Sequence, residues 1–122
     1  MNYEEYYTCL GEAKGCHSPE DFLAEYGYPV DCPYSPDGLI RMCEIVYAVS
    51  QEDWNRVIEL SGGNMAAFSR KYGIPYTTLQ HWTIDKGDTK RSAPVYVMQL
   101  IGYAMIAEIP TGSEETDNLY DV

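Results

Sequence analysis

Through most of the sequence, apolar residues recur three and four positions apart, the spacing of a stripe along one side of a helix. Over residues 2–14 the stripe is Tyr3, Tyr6, Tyr7, Leu10 and Ala13, and Gly15 closes it. Ser18-Pro19-Glu20-Asp21 opens a second helix. Serine caps its free amides, proline suits its first turn, and the two carboxylates face the positive end of its dipole. Phe22, Leu23 and Tyr26 share a face of it, and Gly27 stops it. Pro29, Pro33 and Pro36 mark residues 28–37 as a loop or linker. Residues 36–49 return to helical spacing with Leu39, Ile40, Cys43, Val46 and Tyr47. Ser50-Gln51-Glu52-Asp53 reads as a capping box ahead of Trp54, Val57, Ile58 and Leu60, and Ser61-Gly62-Gly63 ends that helix. No stretch alternates for long enough to pair as strands, so the predicted fold is all-α.

Residues 64–82 carry the most information. Asn64 caps a short helix of Met65-Ala66-Ala67-Phe68-Ser69-Arg70-Lys71-Tyr72. Gly73 stands where a tight turn needs a left-handed residue. A second helix, residues 75–82, places Leu79 and Trp82 on its inner face. Two short helices across such a turn, pinned by Phe68, Ile74, Leu79 and Trp82, form a helix-turn-helix pattern. The small Ala66 and Ala67 allow close approach. Tyr76, Thr77, Thr78, Gln80 and His81 then occupy the outer side, where their lengths and polarity suit base edges and phosphates.

The run from Phe68 to Trp82, with Gly87, Arg91 and the apolar stretch from Pro94 to Ile101, resembles the Cro/repressor-like helix-turn-helix proteins of Gram-positive bacteria and their phages. The resemblance covers about residues 53–107. It implies a helix-turn-helix bundle in which Tyr76, Thr77, Thr78, Gln80 and His81 sit toward the major groove of double-stranded DNA. Arg70, Lys71, Lys86, Lys90 and Arg91 would meet phosphates. The role expected on this reading is a small regulator of transcription, and the apolar content of the last helix, residues 94–109, which exceeds the needs of one face, points to a homodimer through it.

Charge adds a competing picture. Among 122 residues, eight basic and nineteen acidic side chains leave a formal net charge of −11. Residues 1–52 hold ten acids against Lys14 and Arg41, residues 53–107 are net +2, and residues 108–122 add five acids and no base. Such a molecule repels nucleic acid at long range, so any DNA contact must be local. In the alternative reading the chain is an acidic phage-type inhibitor whose tyrosine-rich N-terminal half binds a nucleic-acid-binding protein, namely a nucleic-acid enzyme, with the helix-turn-helix as scaffold or as autorepressor. Glu4, Glu5, Glu12, Glu20, Asp21, Glu25, Tyr3 and Tyr7 would form the surface, because spaced carboxylates can occupy a channel meant for phosphates. Small acidic phage inhibitors, including anti-CRISPR proteins, are similar in size and charge. The chain then divides into an acidic helical extension (residues 1–35), a helix-turn-helix domain (36–109) and an acidic, disordered tail (110–122).

Other chemistries find little support. Cys9, Cys16, Cys32 and Cys43 lack the close pairing of a zinc clip and read as small buried thiols, with no metal and no cofactor. Cys16 and His17 are neighbours, but adjacency in sequence does not aim a nucleophile at its base. No G-x-S-x-G, P-loop or H-E-x-x-H motif occurs, so no enzyme is expected. No apolar run reaches the roughly 20 residues of a membrane span, and the polar, acidic start, Met1-Asn2-Tyr3-Glu4-Glu5, does not read as a secretory signal. The expected setting is cytoplasmic.

Overall fold

Side-chain caps set where the helices begin. Asn2 accepts from the Glu5 amide at 2.8 Å, and the Glu5 carboxylate accepts from the Asn2 amide in return. Ser18, Ser35 and Asn64 cap in the same way, through the amides of Asp21, Gly38 and Ala67. Described in the computed structural model are residues 1–28, 32–83 and 94–111. Among them run α1 (Tyr3–Lys14), α2 (Pro19–Tyr26), α3 (Pro36–Ser50), α4 (Trp54–Leu60), α5 (Met65–Tyr72), α6 (Tyr76–Thr83) and α7 (Val95–Ala107). The architecture is all-α. The one β-type contact among the described residues is an isolated antiparallel bridge between Tyr34 and Thr111.

One boundary differs from expectation. Ser50 does not open a capping box; it ends α3, and Glu52 adopts a left-handed φ of 56°. The cap of α4 is Asp53 itself, which accepts from the Arg56 amide at 3.1 Å. An unbroken α3 buries Ala48 and Val49, and that apolar burial outweighs the local preference of Ser50 for a cap.

The core is built around α3, which packs against α1, α2, α4 and α7. Being enclosed on several sides, it buries Leu39, Met42, Cys43, Ile45, Val46, Ala48 and Val49, a broader face than one stripe supplies. Ile40, placed in the apolar stripe by its spacing, is instead 44% exposed. Tyr6, Cys9, Leu10 and Ala13 of α1 and Phe22 of α2 belong to the same core cluster as the residues of α3 to α7. Gly102 brings α7 close to α1 and α3, and the Tyr6 hydroxyl donates to the Gln99 carbonyl at 2.6 Å. No helix among the described residues is long and apolar enough to cross a membrane.

Candidate nucleic-acid interface

The stretch singled out by sequence folds as two short helices across a three-residue connection. α5 ends at Gly73 (φ 68°, ψ 28°), whose amide donates to the Ser69 carbonyl. This left-handed conformation is strained for residues with a Cβ. Ile74 is buried, its amide bonded to the same carbonyl, and Pro75 accepts from the Leu79 amide at 3.0 Å in the first turn of α6. On the inner face of α6, Leu79 is fully buried. The Trp82 ring stacks on Trp54 of α4 with centroids 5.1 Å apart, and Trp54 meets Phe68 of α5 edge-on at 6.3 Å. Three helices therefore share one aromatic contact, and α6 cannot rotate without breaking it. The far end of α6 is held as well, since the Asn55 side-chain amide donates to the Thr83 carbonyl at 3.3 Å.

The outer face of α6 carries Tyr76, Thr77, Gln80 and His81, all exposed, at the i, i+1, i+4, i+5 spacing that keeps them on one arc. Thr78, grouped with them on sequence, lies at the margin of the packed face and is half-buried. The five candidate readers thus become four outward side chains and one lateral.

The candidate phosphate contacts separate more widely. Arg70 is exposed on α5 and takes part in none of the described ion pairs. Lys71 turns to the end of α7, where its Nζ lies 2.7 Å from Glu108 Oε1, and that hydrogen bond pushes the lysine pKa up. Because the pair is half exposed, its strength is limited by solvent and salt. Arg56 is held by Glu44 and Glu59, each at 2.8 Å. Lys86, Lys90 and Arg91 lie outside the described residues, as does the tail from residue 112 onward.

The acidic set also divides. Glu4, Glu5, Glu12 and Glu25 line one groove between α1 and α2, with Cys9 and Tyr26 beside them. Glu20 and Asp21 stand in the first turn of α2, where Asp21 accepts from the His17 amide at 3.1 Å. Tyr3 and Tyr7 leave this face for the flank next to α7. There Tyr3 meets Tyr103 edge-on at 5.2 Å, and Tyr7 shares a hollow with Val95 and Gln99. The aromatic and acidic surfaces of α1 are therefore distinct.

α7 presents a further surface. Its 13 residues include no charged side chain. Its Met98, Ile101, Gly102, Met105 and Ile106 are buried, while its Tyr96 and Leu100 are 63% and 54% exposed.

Cys9, Cys16 and Cys43 are buried, and Cys32 is half-buried. Burial, then nearby acids, pushes Cys9 up to about 11, and burial with neighbouring thiols pushes Cys43 up to about 12. Cys16 is buried, and its thiol donates toward Glu25 Oε2 at 3.4 Å. His17, beside it in sequence, is exposed. Among the described residues no group of three or more metal-ligating side chains converges.

Two residues of this region escape sequence reading. Trp54 has the helical spacing of a core residue, but nothing in it names Trp82 as its partner. Asn55 sits on a polar position whose contact lies 28 residues away. Compared with protein-family models, curated proteins and solved structures, the chain has no match.

Proposed function

We propose that this chain is a small DNA-binding protein of the helix-turn-helix kind that regulates transcription, with α6 as its recognition helix. The observation that carries the reading is the two-sided character of α6. Its inner face is clamped to α4 and α5 by Leu79, Trp82 and Asn55, and its outer face is an exposed arc of Tyr76, Thr77, Gln80 and His81. A rigid helix with a free polar face is what insertion into a major groove requires. Arg70 serves as a phosphate contact, and Lys90 and Arg91 add to it from the segment that follows. Lys71 can exchange its solvent-facing partner Glu108 for a phosphate. The charge-free outer stripe of α7, with Tyr96 and Leu100, suits a homodimer contact, because two copies at −11 each repel elsewhere.

A second reading rests on the groove that gathers Glu4, Glu5, Glu12 and Glu25. There the acidic face binds a nucleic-acid-binding protein and the α5–α6 pair is scaffold.

Fluorescence anisotropy with a mixed-sequence duplex, at low salt and then across a salt series, separates the two. Two to four phosphate contacts lower affinity roughly 10- to 150-fold between 50 and 200 mM salt. Arg70→Glu and Lys90→Glu/Arg91→Glu are expected to weaken binding further. Absence of binding at low salt overturns the DNA reading, and the acidic groove becomes the surface to test.

A further inference from the structure

The outer arc of α6 is specific enough in chemistry to name what it reads. Tyr76 to His81 spans about 7.5 Å along the helix at 1.5 Å per residue, which covers about two base-pair steps of 3.4 Å. No lysine or arginine lies on the arc, so the bidentate cation–guanine contact, the commonest way of reading a G·C pair, is absent from it. Gln80 is the central exposed residue, with Tyr76 and Thr77 one turn before it and His81 beside it. Among the described residues nothing bonds its side-chain amide; only its backbone carbonyl is engaged, by the Thr83 hydroxyl at 2.9 Å. That amide pairs a donor with an acceptor, matching the N7 acceptor and N6 donor that adenine shows in the major groove. Thr77 offers a methyl group, which fits the methyl of a neighbouring thymine.

Resting on the DNA reading above, we propose that Gln80 is a specificity-determining residue that reads adenine, and that the α6 half-site centres on an A·T step with Thr77 against the thymine methyl. Tyr76 and His81 flank this step and contact phosphate or sugar.

Selection from a pool of duplexes with a randomised centre, using the full chain, tests the assignment. The wild-type protein is expected to enrich one A·T position by about tenfold or more over the other pairs. Gln80→Ala is expected to lose the preference at that position alone. Gln80→Glu is expected to move it to cytosine, because a carboxylate accepts from cytosine N4 but cannot donate to adenine N7. A moved preference cannot come from general loss of fold or affinity, and Gln80 is exposed, so neither variant disturbs the core. If wild type enriches a motif that all three proteins share, the Gln80 assignment is overturned while the DNA reading stands. If wild type binds the pool in anisotropy but enriches nothing, adenine reading is likewise overturned. Absence of any binding to the pool overturns both.

Discussion

Gly102 shows what a single side chain would do to this core. A Cβ there would stand 2.6 Å from both Tyr6 Oη and Val49 Cγ2, closer than packed atoms tolerate. Gly102→Ala should lower the unfolding free energy by about 1–3 kcal/mol, as overpacked cores do, despite the helix propensity of alanine. Urea unfolding measures it; unchanged stability would contradict the close approach of α7. Cys9 and Cys43 make the second case. Both pKa values are raised in the fold from an ordinary 9.0, so the native state holds protons that the unfolded chain releases. Their contribution is fully present below pH 9 and is lost as pH rises through about 11 and 12. Iodoacetamide at pH 8 should therefore label both slowly in the native protein and rapidly in urea, and thermal stability should fall above pH 9. Equal labelling in the two states would place the thiols at the surface.

Helices were easier to read than their partners. Ser18, Asn64 and Gly73 act locally, within three or four residues, so their roles at helix ends were visible from the sequence and stand in the structure. The capping preference of Ser50 is local, and burial of Ala48 and Val49 overrides it. Periodicity puts Ile40 in a stripe but does not say which side of α3 receives α1, α2, α4 and α7. For the α6 arc, exposure of Tyr76, Thr77, Gln80 and His81 follows from the position of Leu79, whereas Thr78 depends on what packs at its edge. The Asn55 bond to Thr83 is long-range and left no trace in the sequence. Asn55→Ala should leave the melting temperature nearly unchanged, since the bond is exposed, yet speed amide exchange in the last turn of α6. Equal exchange in the two proteins would show that the Trp54–Trp82 stack alone holds that end.

The charge of −11 is spread unevenly over the described surface. Carboxylates collect between α1 and α2, tyrosines turn toward α7, and the arc of α6 carries neither acid nor strong base. Composition revealed the imbalance but not this division, which depends on helical phase: Glu5 and Glu12 fall on one flank of α1, Tyr3 and Tyr7 on the other. In the proposed dimer two such anions meet at the charge-free outer stripe of α7. Sedimentation of the wild-type chain should show a dimer that strengthens with salt, because screening relieves repulsion while leaving apolar contact intact. Leu100→Lys should yield a monomer with an unchanged helical spectrum, and a monomeric wild type at high micromolar concentration would remove the dimer from the account.

Binding to DNA through α6 is the central claim, and amide NMR during titration with a short duplex at low salt tests it directly. The expected result is that shifts concentrate on Tyr76, Thr77, Gln80 and His81, with Arg70 following, while Glu5, Glu12 and Glu25 stay still. Shifts confined to the α1–α2 groove, or none at all, would contradict it.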